Sequence, residues 1–173
     1  MANREGAHPV HFDELYRELI LDHYRSPRNQ GDLAKATAAA EGMNPSCGDE
    51  LRLGVVIADD TVQDVRFVGQ GCSISQASSS MMTEQIRGRS LDAVGAIADK
   101  IQRMLTVDGF DVDADAVEIG DLEALQGVAR FPVRVKCALL AWKVLAQALA
   151  AATGREVADD TEIQTRAIQP VKH

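Results

Sequence analysis

Apolar positions recur at helical spacing from the start of the chain's first patterned stretch: after Asp13, the residues Leu15, Tyr16, Leu19, Ile20, His23 and Tyr24 fall on one stripe. Pro27 closes that stretch, because the residue before a proline is pushed out of helical conformations. From residue 50 the period changes to two. Leu51, Leu53, Val55 and Ile57 alternate with Glu50, Arg52, Gly54 and Val56, which predicts a half-buried strand. Asp59-Asp60 then reads as a hairpin turn, with Val62 to Val68 returning antiparallel. The helical period resumes over 72–86 through Ile74, Ala77, Ser78, Met81, Met82 and Gln85, with Gly88 as its stop. Ser90 caps a further helix, Leu91 to Leu105, whose buried face is Leu91, Val94, Ile97, Ala98, Ile101 and Leu105. Residues 106–120 mix apolar residues with acids and read as an exposed connection that ends in a short helix over 121–126. Pro132 opens and Gly154 closes an Ala- and Leu-rich helix containing Trp142. Residues 1–10 and 155–173 carry no period and read as flexible tails around a single domain over 11–154. The Ala-rich stretch ahead of residue 44 has no assigned state.

Composition narrows the classes of function. A chain of 173 residues, 46% hydrophobic, can bury a core of ordinary size in one domain. Its net charge of −8 argues against a phosphate-binding surface, so no nucleic-acid partner is expected. The acids concentrate between Asp108 and Glu123 and again from Glu156 to Glu162, as a solvated face or a docking patch for a basic partner. No bilayer-spanning apolar run and no hydrophobic signal core at the N-terminus are expected, which predicts a cytoplasmic protein with no membrane partner. Three cysteines cannot pair fully, and a reducing compartment would leave all of them as thiols.

Chemistry concentrates in few places. Asn44-Pro45-Ser46-Cys47-Gly48-Asp49 puts a thiol and a carboxylate two positions apart in a Pro/Gly turn. Cys72 follows Gly69-Gln70-Gly71 at a strand-to-helix junction, where a helix N-terminus favours thiolate over thiol. Cys137 lies in the early turns of the last helix. The beginning of one strand and the end of its antiparallel neighbour share a sheet edge, which brings Cys47, Asp49 and Cys72 together. Spacing alone fits either a metal site of Cys47, Asp49, Cys72 and Cys137, the donor types zinc takes, or three buried apolar thiols. His23 reads as a packed, hydrogen-bonded core residue, and Ser78-Ser79-Ser80 as small residues at a helix contact. The acids Asp111, Asp113 and Asp115 lack the glycine and the twelfth-position Glu of a calcium loop.

Four stretches carry a resemblance to a known family: Asp22-His23-Tyr24-Arg25-Ser26-Pro27-Arg28-Asn29, Asn44 to Asp49, Gly69 to Ser75 running on through Ser80, and Arg134-Val135-Lys136-Cys137-Ala138. Together they resemble the U-type iron–sulfur cluster assembly proteins over residues 12–150. The likeness is greatest to the SufU-like, zinc-dependent sulfurtransferase branch. Lys136 stands where the scaffold branch carries histidine, the connection from Cys72 to Cys137 is longer, and Arg130-Phe131-Pro132-Val133-Arg134 replaces the scaffold branch's Leu-Pro-Pro-Val-Lys. The resemblance implies an α+β fold, a small antiparallel three-stranded sheet packed against a layer of helices. It implies Zn2+ on Cys47, Asp49, Cys72 and Cys137, and a SufS-type cysteine desulfurase that delivers persulfide sulfur to Cys47, with a partner histidine displacing Cys47 from the metal. It further implies passage of sulfur to the downstream iron–sulfur assembly machinery. Arg134 is the candidate to steady the persulfide. A [2Fe–2S] scaffold on the same ligands is the alternative it leaves open.

Overall fold

The computed structural model describes residues 2–31, 34–157 and 162–170, with side chains from residue 14 onward. In chain order the elements are helix α1 (Ala2–Arg25), strands β1 (Ala38–Asn44), β2 (Asp49–Ala58) and β3 (Thr61–Gln70), helices α2 (Ser73–Ile86) and α3 (Leu91–Thr106), 3-10 segments at Val112–Ala114 and Gly120–Arg130, helix α4 (Pro132–Thr153) and strand β4 (Gln164–Ile168). The strands form one antiparallel sheet in the order β3-β2-β1-β4.

The β2–β3 hairpin turns where the sequence placed it. Asp59 and Asp60 both take positive φ, 53° and 54°, as a two-residue turn matched to strand twist requires. Alternation also holds along β2, with Leu51, Leu53 and Val55 nearly inaccessible while Glu50 and Arg52 face solvent. Helices pack against the sheet and against one another. α4 lies against β1 and β2, α2 packs between α4 and α1, and the second 3-10 segment closes on α1 and α3. Leu53, Phe67, Met81, Met82, Ile101, Leu125 and Leu140 are fully buried between these layers, each contributing about 1.5–3 kcal/mol relative to an exposed position.

The structure corrects several expectations. The sheet has four strands rather than three, because Gln164–Ile168, within the stretch read as a flexible C-terminal tail, pairs with β1 from Ala39↔Ile168 to Met43↔Gln164. Ile163 beside it is 3% exposed and joins the core. The N-terminal stretch read as a tail is helical from Ala2. The connection after α3 is not simply exposed: Val112, Ile119, Leu122 and Leu125 are buried. Lys100, itself buried, fastens this connection to α3 by donating to the carbonyls of Asp115 (3.0 Å) and Val117 (2.5 Å). One helix, α4, is long and apolar enough to meet the length and composition of a membrane span, contrary to the expectation of no such run. Its Ala138, Ala141, Val144, Leu145 and Ala148 are instead the inner wall of this core.

Candidate metal centre

Three junctions of the chain meet at one corner of the sheet. The first is the turn from β1 to β2, where Asn44 and Asp49 form the last rung of the pairing. The Asn44 carbonyl accepts from the N–H groups of Cys47 (3.2 Å) and Gly48 (2.9 Å), and its side-chain oxygen accepts from Ser46 N–H (3.2 Å). Gly48, at φ +71°, supplies the left-handed residue that returns the chain into β2. Cys47 is left exposed at the tip, while Asp49, two residues on, is completely buried.

The second junction runs from β3 into α2. Glu50 pairs with Gln70, so the end of β3 arrives beside Asp49. A Cβ at Gly71 would run into the Asp49 carboxylate and lie 2.8 Å from Ser75 Oγ, so this close approach needs glycine. The Asp49 carboxylate accepts from the Cys72 N–H at 2.9 Å, and its second oxygen lies 3.8 Å from Cys72 Sγ. Cys72 immediately precedes the first turn of α2.

The third junction is the start of α4. Cys137, in that helix's second turn, is 1% exposed, and its sulfur lies 3.3 Å from Cys47 Sγ and 3.7 Å from the Val133 carbonyl. Ligand atoms of Cys47, Asp49 and Cys137 all lie within 4.8 Å of one another. Cys72 stands outside that group but adjoins it through Asp49. Burial, then the neighbouring Cys47, Asp49 and Cys72 groups, push the Cys137 thiol well above the ordinary thiol range. Sulfurs and a carboxylate gathered this closely repel further negative charge, and a divalent cation reverses that balance. Thiolate and carboxylate are donor types that zinc takes, and the Cys47, Asp49 and Cys137 ligand atoms lie close enough together to face one ion.

Arg134 is exposed one turn ahead of Cys137 and has no ion-pair partner among the described residues. Lys136 pairs with Glu162 at 3.1 Å, tying the start of α4 to the segment leading into β4. His23 takes the core role read from its position. It is 1% exposed and bonded to Ser80 Oγ (2.8 Å) and Asp121 (3.0 Å), linking α1 to α2 and the 3-10 segment. Ser78 and Ser79 are buried at the helix contact, donating to the carbonyls of Ala138 (2.7 Å) and Ser75 (2.8 Å). Two residues of the corner were not singled out from sequence. Asn44 carried a signal in its position before Pro45, and Gly71 in its place just ahead of a cysteine.

Comparison with known proteins agrees with this architecture. The profile of the NifU-like N terminal domain matches residues 15–138. The chain is 42% identical over 145 residues to the zinc-dependent sulfurtransferase SufU of Bacillus subtilis (strain 168), spanning 84% of this chain and 96% of that protein. It is 41% identical over 137 residues to the iron–sulfur cluster assembly scaffold protein IscU of Streptococcus pyogenes serotype M1, spanning 79% and 84%. Among solved structures, a candidate iron–sulfur cluster assembly scaffold protein for the SUF system from Fervidobacterium islandicum AW-1 superposes with a TM-score of 0.69 at 36% identity, over 76% of this chain and 94% of that one. With its α+β architecture and its cysteines at the corner where β1–β2, β3–α2 and α4 meet, the chain belongs to the NifU-like N-terminal domain family.

Proposed function

We propose that this chain is a zinc-dependent sulfurtransferase of iron–sulfur cluster assembly that accepts sulfur on Cys47 from a SufS-type cysteine desulfurase. The observation that carries this reading is the unequal exposure of two adjacent thiols: Cys47 is open to solvent on a turn, and Cys137, 3.3 Å away, is buried on a helix. A partner can reach the first and not the second. Cys47, Asp49, Cys72 and Cys137 would hold zinc, which when bound supplies the positive charge that keeps these thiols ionised at neutral pH.

The chemistry of uptake then belongs to Cys47. Its thiolate attacks the outer sulfur of the desulfurase persulfide, a new S–S bond forms on Cys47, the partner's S–S bond breaks, and the electron pair leaves on the partner's cysteine as a thiolate. Asp49 and the α4 wall stay in place, because Asp49 is fastened to the Cys72 N–H and Cys137 is fixed in the core. Arg134, exposed on the same helix as Cys137, would meet the negative charge of the persulfide. The similarity to the Bacillus subtilis sulfurtransferase supports this reading.

The test is desulfurase turnover with and without this chain, after zinc removal and after re-addition. Stimulation should vanish with the metal and return with it; stimulation that survives full chelation would overturn the role of zinc. A scaffold for a [2Fe–2S] cluster is the second reading, favoured by the similarity to the Streptococcus pyogenes scaffold and by thiolate ligands that suit iron equally. Visible absorption and stoichiometric iron in protein isolated without air would establish it in place of the first.

A further inference from the structure

The corner holding the thiols contains one polar atom that the fold leaves unanswered. Asn44 has no exposed surface, and its side-chain nitrogen Nδ2 is buried without a hydrogen-bond partner. The other end of the same amide is used: Oδ1 caps Ser46 N–H inside the turn that presents Cys47. A buried N–H2 group without an acceptor forfeits the hydrogen bonds it had in water, so such groups are rare and call for a reason.

Strand register says where the amide lies. Asn44 and Asp49 are directly opposite on the antiparallel β1–β2 pair, and opposite residues project from the same face of the sheet with Cβ atoms about 4.5–5.5 Å apart. The Asp49 carboxylate is within 4.8 Å of the sulfurs of Cys47 and Cys137. The orphan donor therefore lies on the same face as the gathered acceptors, next to the residue that joins them. Asp49 itself accepts from the Cys72 N–H and lies 3.8 Å from the Cys72 thiol.

We propose that Asn44 is a positioning residue of the metal centre: its amide N–H2 donates to the ligand set around a divalent cation, while its Oδ1 holds the Cys47 turn. This rests on the metal-binding reading above. One side chain thereby couples the exposed ligand Cys47 to the buried ones, and the bound ion's ligand set supplies the acceptor that the buried Nδ2 lacks. Outer hydrogen bonds of this kind orient ligands and raise metal affinity. Sequence alone could not single this out, since an asparagine before a proline reads equally as ordinary turn chemistry.

The experiment measures zinc affinity by chelator competition for the wild-type chain, Asn44→Ser and Asn44→Ala. Serine can still cap Ser46 N–H from its hydroxyl but lacks the amide donor. Both variants are expected to bind zinc about 10-fold to 100-fold more weakly, with the melting temperature of the metal-free Asn44→Ser protein little changed. Asn44→Ser binding zinc within twofold of wild type overturns the proposal. A wild-type chain that takes up no zinc overturns instead the metal reading on which it rests. The wild-type protein supplies a second readout that does not depend on a variant folding. On loading with 113Cd the Asn44 side-chain N–H2 resonances should move and gain protection from solvent exchange, and an unmoved, freely exchanging Asn44 amide would overturn the inference as well.

Discussion

The Cys47 turn and the Cys137 helix lie 3.3 Å apart at their sulfurs and differ in almost every other respect. Cys47 sits at the exposed tip of a four-residue link between Asn44 and Asp49, held by three hydrogen bonds that all return to Asn44. Cys137 is enclosed in the wall between α4 and the rest of the core, flanked by Ala138, Leu139 and Leu140. The difference teaches that a thiol cluster need not be uniform to hold one ion. The enclosed part fixes where the site is, and the exposed part decides what can approach it.

The widest separation of the two halves comes from substituting one thiol in each. Cys47→Ala is expected to abolish sulfur uptake from the desulfurase, read as persulfide formed on the protein, and to leave the metal-free melting temperature within the range of a surface change, about ±0.5 kcal/mol. Cys137→Ser should lower zinc affinity more than about 100-fold, beyond what loss of an outer partner costs, and should also destabilise the fold by burying a hydroxyl. If Cys47→Ala were the more destabilising of the two, the comparison would be reversed.

Gly71→Ala attacks the contact that carries Asp49. The new Cβ would meet that carboxylate at a backbone conformation, φ +158°, that L-residues seldom take. A loss of about 1–3 kcal/mol in urea unfolding is expected, together with weakened zinc binding, and an unaffected zinc affinity would show that Asp49 is not held by this approach.

A smaller effect follows from the raised Cys137 thiol. In the metal-free chain the folded state keeps this proton while an unfolded chain releases it above about pH 8.5. Stability contributed by the protonated thiol is therefore complete below that pH and falls as pH rises beyond it, by at most about 1.4 kcal/mol per pH unit. The zinc-loaded chain should show the opposite trend and lose stability toward acid as protons compete for the ligands. Melting curves of both forms between pH 6 and 10 would reveal crossing or parallel trends, and parallel ones would contradict this account. Arg134→Ala gives the least change, slower sulfur uptake at unaltered melting temperature; equal uptake rates would leave Arg134 as a solvated surface residue.

Much of this contrast was legible in the sequence because it rests on periodicity and punctuation. The spans of α2, α3 and α4 followed from apolar spacing with Ser90, Pro132 and Gly154 at their ends, and Gly154 closes α4 at φ +72°. That Asp49 meets the Cys72 end of β3 followed from strand direction. What escaped were elements whose stability comes from neighbours. β1 reads Ala38-Ala39-Ala40-Glu41-Gly42, with no β-branched residue, because space beneath α4 is short: a Cβ at Gly42 would stand 2.6 Å from Val144 Cγ2. β4 has only five residues and owes its place to β1, the Ile163 anchor and the Lys136–Glu162 pair. The buried side of the acidic connection was hidden because 3-10 geometry imposes neither of the two periods that sequence reading looks for.

β4 also bears on how the chain behaves in a crowd of its own copies. The outer side of β3 is already occupied in part, by Asn29 and Gly31 bonding to Phe67 and by Arg89 and Gly88 bonding to Val62. On the other side, β4 covers β1 and becomes the margin of the sheet. It is short, mostly exposed and carries Arg166, which pairs with Glu41 across the strand. A small, charged border replaces the longer Ala-rich one beneath it, and the unsatisfied row of β1 backbone groups that would invite another chain to add itself is kept inside the molecule.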